Sequence, residues 1–134
     1  MPNSTVRPVV LTIPANSSYL RLVRLVVASM GADAAFDIEA VEDLRIAADE
    51  LVTALLSAAQ PDGSIAVELL LQDGVLSLSA RTMGAEVPGA IPDDMQLALD
   101  PLAAHILNEL VDEHEFKRVG GEFCVSFSKA VPVI

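Results

Sequence analysis

The chain has 134 residues, with 8 lysines and arginines against 19 aspartates and glutamates, a formal charge of −11 and 52% apolar residues. This length predicts a single domain over residues 1–134, and the apolar content excludes an intrinsically disordered chain. The acidic charge argues against nucleic acid or an anionic membrane as a ligand, because both require a cationic surface. The single cysteine, Cys124, cannot form an internal disulfide, and no uncharged stretch approaches the ~20 residues of a membrane span. The sequence therefore predicts a soluble, cytoplasmic domain.

The first half of the sequence predicts an edge strand followed by two helices. Residues 9–13 form an apolar, β-branched run between two prolines, which is typical of an edge strand. The helix that follows is expected to end near Met30, because Gly31 is a common residue just after a helix. Asp37 is the predicted N-cap of a second helix over residues 38–59. The candidate N-caps of the first helix are Asn16, Ser17 and Ser18.

The second half predicts two hairpins separated by a loop and a helix. Asp73-Gly74 is a typical hairpin turn, and Asp100-Pro101 is a typical helix start, with the carboxylate as N-cap. The order β-α-α-β-β-α-β-β predicts an α+β two-layer sandwich, with a mostly antiparallel sheet and the helices on one face. The expected bounds are residues 64–71, 75–80, 115–119 and 122–129 for the strands, 101–111 for the helix and 83–100 for the loop.

The first helix is apolar on two sides, which predicts that it is covered on two sides. Its second apolar side is either covered by another helix of this chain or forms a subunit or partner interface. Arg21 and Arg24 flank that side, as expected for a surface that selects acidic groups on a partner. By helical spacing, the core stripe is Leu20, Val23, Val27 and Met30, the second side is Leu22, Leu25 and Val26, and the narrow side between them is Ser17, Arg21, Arg24 and Ala28.

The second helix has one buried stripe and an acidic flank. On spacing alone the flank is an ordinary solvated surface, in which Ala54 follows Glu50 by one turn. The predicted stripe is Leu44, Ala48, Leu51 and Leu55, with Ile38 and Val41 leading into it, and the flank carries Glu39, Asp43 and Glu50.

The second helix also resembles a known family. Residues 43–54 read DLRIAADELVTA, and an arginine, Arg24, precedes them in the first helix. This succession is similar to the bacterial anti-sigma factors of the serine-kinase type, the RsbW-like branch of the GHKL ATPases, whose pattern is D-L-x-[LI]-A-x-D-E-x-x-T-N-A. Residues 13–15 (IPA) and 106–113 (ILNELVDE) extend the resemblance over nearly the whole chain. It implies a GHKL (Bergerat-like) fold, a homodimer, and partner contacts through the first helix.

Three positions depart from the pattern that the resemblance implies for an ATP site. The asparagine that ligates magnesium in the family is Ala54 here, which has no ligand atom. The family's D-x-G-x-G motif, whose aspartate reads the adenine amino group, aligns with residues 82–86, where Thr82 replaces the aspartate and Gly84 remains. The G-x-G that opens the last helix in the family is replaced by Pro101 and Ala103.

The third departure also follows from helix chemistry alone. A helix N-terminus binds phosphate through free N–H groups, whereas Asp100 is placed to accept those N–H groups and Pro101 removes one of them. We therefore expect no ATP, magnesium or other metal cofactor. Glu50 is then either a surface carboxylate or, if ATP binds, the base of a kinase. His105 and His114 lack metal-ligand spacing, and Cys124 is expected in the core.

Three functions are consistent with these residues. The first is an anti-sigma factor that holds a sigma factor through Arg21, Arg24, Leu22 and Leu25 and is released by an anti-anti-sigma protein of the STAS type, as the resemblance implies. The alternative is an ATP-dependent serine-protein kinase acting on that STAS protein, with replacement magnesium ligands. A third is an acidic domain with a different protein partner. The candidate replacement ligands are Glu86, Asp93 and Asp94.

Overall fold

The computed structural model describes residues 7–60, 62–84, 101–119 and 122–131. In this part of the chain the elements follow the predicted order β-α-α-β-β-α-β-β. None of the described helices is long and apolar enough to cross a membrane. The elements are β1 (Val9–Pro14), α1 (Leu20–Asp33), α2 (Ile38–Leu56), β2 (Ser64–Gln72), β3 (Val75–Met83), α3 (Pro101–Leu110), β4 (Glu113–Val119) and β5 (Glu122–Ala130), with a 3-10 turn over Ser17–Tyr19 before α1.

The five described strands form one antiparallel sheet in the order β1-β2-β3-β5-β4. β1 lies at one edge, as predicted, and β5 inserts between β3 and β4. The β2–β3 hairpin closes through Asp73 and Gly74, whose φ values of 54° and 74° are those of a two-residue type I′ turn. The predicted hairpin is therefore confirmed, and its strands extend slightly further than the expected bounds.

Side chains alternate strictly across the sheet, which fixes the two layers. Along the central strands every second residue is buried, because it packs against the helices, while the residues between face the other side. This confirms the α+β sandwich with helices on one face. The buried residues of the central strands are Ile65, Val67, Leu69, Leu76, Leu78, Ala80, Phe123, Val125 and Phe127.

α1 does not end at Gly31, so that prediction is wrong. The helix continues to Asp33, and the chain reverses at Ala35, whose φ is 68°. Gly31 is buried against α2, and a Cβ there would lie 3.1 Å from Leu44 Cδ1 and 3.3 Å from Val41 Cγ2. The glycine is required for the close approach of two helices rather than for helix termination.

The predicted N-cap of α2 is confirmed, whereas none of the three predicted caps of α1 is correct: its N-cap is Tyr19, which makes no side-chain cap bond. The Ser18 N–H donates to Asn16 Oδ1 at 2.9 Å, which caps the 3-10 turn before α1. The Ala40 N–H donates to Asp37 Oδ1 at 2.8 Å, which confirms the predicted cap of α2. α2 ends at Leu56 rather than near residue 59.

The predicted stripe of α2 is buried, with one exception. Leu44, Ala48, Leu51 and Leu55 are each 0% exposed. Ile38, which was expected to lead into the stripe, is 90% exposed, so that prediction is wrong. It is the first residue of α2 and lies before the buried part of the helix.

The second apolar side of α1 is neither fully covered by this chain nor fully exposed. Its core stripe is buried as predicted, and Met30 packs partly buried beside it. Leu22 and Val26 are half-buried against the core, whereas Leu25 is 66% exposed. Within the described residues α2 does not cover this side, because its contacts with α1 run along the flank that carries Arg24 and Gly31.

The carboxyl-terminal elements agree closely with the prediction. α3 begins at Pro101, as expected, and β4 begins at Glu113, two residues earlier than the predicted strand. Lys129 Nζ donates to the carbonyl of Leu110 at 2.6 Å, which pairs the end of α3 with β5. The predicted loop from residue 85 onward, the Asp100 cap, Pro61 and the Gly120-Gly121 turn lie outside the described residues.

Replacing Gly31 tests whether the helix contact limits stability. Gly31→Val should lower the free energy of unfolding by about 1–3 kcal/mol, because the added carbons push against Val41 and Leu44. Helix propensity alone predicts the opposite sign, since valine is a better helix former than glycine. Exposed Ala32→Val is the matched control and should cost less than about 1 kcal/mol in urea unfolding. A gain in stability for Gly31→Val would contradict the contact.

Candidate functional site

The two flanks of α2 carry different chemistry. Asp49 lies on the flank toward α1, whereas Glu50 and Ala54 lie one turn apart on the other flank. Both Glu50 and Ala54 are half-buried. One turn after the carboxylate of Glu50, this flank therefore carries only the methyl group of Ala54.

Thr82, at the position of the family's adenine-reading aspartate, is engaged inside the sheet. It follows Ala80 by two residues, so it lies on the side of the sheet that faces the helices. The Phe123 N–H donates to Thr82 Oγ1 at 3.1 Å, just beyond the last β3–β5 pair, Arg81 and Cys124. The hydroxyl thus completes the hydrogen bonding of the strand end, which is a structural role.

Gly84 is the glycine that remains from the D-x-G-x-G motif, and it has its own structural cause. Its φ is 144°, and a Cβ there would lie 2.8 Å from Gly63 Cα. Two backbones therefore touch at this point, and no side chain fits between them. The Gly63 carbonyl in turn accepts the Ala15 N–H at 3.0 Å, which connects the contact to the end of β1.

α3 begins with one N–H group fewer than a helix start normally offers to a phosphate. Pro101 is its first residue and has no N–H to donate. Ala103 is buried, and the helix packs against α2. Asp100 and the candidate magnesium ligands Glu86, Asp93 and Asp94 lie outside the described residues.

These residues do not fit magnesium-bound ATP in the mode that the resemblance implies. Ala54 offers no oxygen to a metal, which needs oxygen ligands. Thr82 already accepts a backbone N–H, and Pro101 withholds one N–H from a phosphate. We therefore derive no chemical step through a nucleotide.

Of the α1 residues expected to contact a partner, Arg21, Arg24 and Leu25 lie at the surface. Arg21 is exposed, and Arg24 Nη1 donates to Asp49 Oδ1 at 3.0 Å. Leu25 is exposed beside them, whereas half-buried Leu22 contributes more to the core. Sequence reasoning missed Asp49, because the pair joins residues 25 positions apart and no local spacing encodes it.

The core assignment of Cys124 is wrong. Phe123 and Val125 point to the helices, so alternation directs the Cys124 side chain to the open face of the sheet. It lines a groove of about 340 Å³ there, with Glu68, Arg81 and Lys117 among its neighbours. Partial burial, and secondly the charge of Glu122, raise the pKa of the Cys124 thiol, so it is not an activated nucleophile.

Neither the histidines nor the groove adds to the α2 site. Among the described residues no group of three or more histidine, cysteine, aspartate and glutamate side chains could hold a metal. The groove lies on the opposite side of the sheet from Glu50. The candidate site therefore consists of the α2 flank at Glu50 and the α1 surface at Arg24.

The chain is similar in sequence to known proteins. A family model described as the histidine kinase-like ATPase domain matches residues 13–129. A serine-protein kinase RsbW of Listeria monocytogenes is 28% identical over 116 residues, which are 84% of this chain and 68% of that protein. An anti-sigma-F factor RsbW of Mycobacterium tuberculosis is 40% identical over 60 residues, which are 45% of this chain and 36% of that protein.

Solved structures show the same fold. A crystal structure of the RsbU and RsbW domains of Rv1364c from Mycobacterium tuberculosis aligns with a TM-score of 0.66 at 18% identity, over 93% of this chain and 32% of that one. A histidine kinase domain from Erythrobacter litoralis EL346 aligns with a TM-score of 0.53 at 17% identity, over 89% of this chain and 62% of that one. The RsbW-like resemblance read from residues 43–54 is thereby confirmed, and the chain belongs to the histidine kinase-like ATPase domain family.

Proposed function

We propose that this chain is an anti-sigma regulatory factor that binds a sigma factor and is released by an anti-anti-sigma STAS protein, without ATP binding or kinase activity. The observation that carries the proposal is that α2 keeps Glu50 but has Ala54, with no ligand atom, one turn later. The fold is kept while the groups for nucleotide chemistry are replaced. Such a chain can act through binding alone.

The relatives support the anti-sigma part of the proposal. One carries the name of an anti-sigma-F factor, and its 40% identity spans 60 residues. On this chain, α1 offers the exposed Arg21 and Leu25 together with Arg24, a combination of apolar and guanidinium groups that suits a protein interface. The formal net charge of −11 of the whole chain suits the basic surface of a DNA-reading protein.

The rest of the proposed assembly follows from the same surfaces. A STAS protein that competes for α1 would release the sigma factor without any covalent step. A cytoplasmic homodimer is also part of the proposal, as the family resemblance implies, while Leu25, which is 66% exposed, is assigned to the sigma factor. Nucleic acid and membrane are not among the proposed ligands, because the chain is strongly acidic.

A serine-protein kinase acting on the STAS protein is the second candidate. It is favoured by Glu50 and Thr53, which match the family pattern, and by the relative that is named a serine-protein kinase. This candidate requires magnesium ligands in place of an asparagine, for which the carboxylates of Glu86, Asp93 and Asp94 are available in the sequence.

The two candidates separate in one nucleotide experiment. ATP with magnesium should give no heat in calorimetric titration and no rise in Tm, because Ala54 and Pro101 remove a ligand and a donor. A ligand at 100 times its Kd would add about 2.7 kcal/mol, a Tm rise of roughly 10 °C. Binding, together with phosphotransfer to a STAS protein that Glu50→Ala abolishes, would contradict the proposal and establish the kinase.

Substituting Gly84 tests its structural role against a nucleotide role. Gly84→Ala should lower the free energy of unfolding by about 2–4 kcal/mol without any ATP present, because the methyl group meets the Gly63 backbone. Gly74→Ala is the matched control: its φ is also positive, at 74°, but nothing lies within 4 Å, so about 1–2 kcal/mol is expected. Equal losses in urea unfolding would refute the backbone contact.

Charge reversal on α1 tests the partner surface. Arg21→Glu and Arg24→Glu should each weaken binding of a sigma factor at least tenfold, because they place a carboxylate against an acidic contact. Each purified sigma factor of the same bacterium is titrated, and circular dichroism checks the fold. Arg81→Glu is the control, since Arg81 is similarly paired, to Glu122, but lies on the open face of the sheet. Unchanged affinity for both α1 variants would exclude this surface.

A further inference from the structure

The two arginines of the proposed partner surface are in different states. Arg24 Nη1 donates to Asp49 Oδ1 at 3.0 Å, and this ion pair bridges α1 and α2. Arg21 lies one turn earlier on the same flank of α1, is exposed, and makes no ion pair with any residue that the structure describes. One guanidinium is therefore open to a partner, and the other is already engaged by a carboxylate.

The engaged pair is at the surface and is easily exchanged. The side chains of Arg24 and Asp49 are 39% and 38% exposed, so water solvates both of them and their attraction is weak. The contact with Asp49 uses one of the five N–H donors of the guanidinium. A carboxylate from a partner that covers Arg24 would form a less hydrated and therefore stronger contact.

A partner carboxylate at Arg24 would also meet Asp49. Two carboxylates on one guanidinium repel each other, so the arriving group gains most when Asp49 gives up its bond. Only the fraction of molecules in which Arg24 is released binds with full affinity, and the internal pair lowers the observed affinity by that fraction.

We propose that Asp49 sets the affinity of this surface by competing with the acidic segment of the sigma factor for Arg24. The inference rests on the proposed function and adds a residue to it: α2 supplies an internal substitute for the partner's carboxylate. Arg21 makes the first contact, and Arg24 then exchanges its ion pair with Asp49 for one with the partner's carboxylate.

The test is the affinity of Asp49→Asn for the sigma factor selected in the charge-reversal titrations. Removing the competing charge should raise affinity about 1.5- to 5-fold, the range expected for losing an exposed ion pair. Glu42→Gln is the matched control, because Glu42 pairs with Arg45 on the same surface of α2, at 3.0 Å. It removes the same charge without touching Arg24 and should leave the affinity unchanged.

A double-mutant cycle separates competition from a merely structural role. In an Arg24→Gln background, Asp49→Asn should no longer raise affinity, because there is no guanidinium to release. Three results would overturn the inference: a loss of affinity in Asp49→Asn, which would make Asp49 a positioning residue; an equal gain in Glu42→Gln; or the same gain in the Arg24→Gln background. Failure of the wild-type chain to bind any sigma factor would instead overturn the proposed function, and the inference with it.

Discussion

The burial of α2 is the constraint on which the rest of the structure depends. The helix packs against the sheet and against both other described helices, and a broad stripe along it has no exposed surface. Because each residue turns the helix by about 100°, this stripe fixes the direction of every polar side chain that α2 carries. Asp49 must face α1, and Glu50, the next residue, must face away from it. The stripe consists of Leu44, Ala47, Ala48, Leu51, Val52 and Leu55, all 0% exposed.

The residues at the positions of the D-x-G-x-G motif have structural reasons to be present that do not involve a nucleotide. Thr82 completes the hydrogen bonds of the β3–β5 pair, and Gly84 allows two backbones to touch beside Gly63. Under the proposed function, such a position stays under structural constraint without its ligand chemistry. Ala54 has no comparable structural role, because its side chain is a single methyl group without a hydrogen-bond donor or acceptor. The proposed function requires that fold and catalytic chemistry be separable, and they can be because different atoms carry them.

Much of the fold could be predicted from the sequence, since turn residues located the β2–β3 hairpin and helical spacing gave the α2 stripe. The errors have tertiary causes. Glycine is a common residue at helix ends, but Gly31 lies opposite Leu44 and is needed there for the close approach of α1 and α2. Cys124 lies in an apolar run whose alternation points it outward, and Ile38 precedes the point where α2 meets its neighbours. For the site, motif spacing identified Glu50 and Ala54, whereas the Arg24–Asp49 pair follows only from the packing of two helices.

Charge acts at two ranges on the proposed partner surface. The net charge of −11 creates a field that attracts a basic, DNA-reading surface and speeds encounter, but salt screens it over about 8 Å. The arginines act at contact distance, where an acidic side chain of the partner is read individually. If Arg24 exchanges the exposed carboxylate of Asp49 for a covered one on the partner, the energy of the broken pair offsets part of the energy of the new pair. Binding by exchange therefore stays reversible, and reversibility is what release by a competing protein requires.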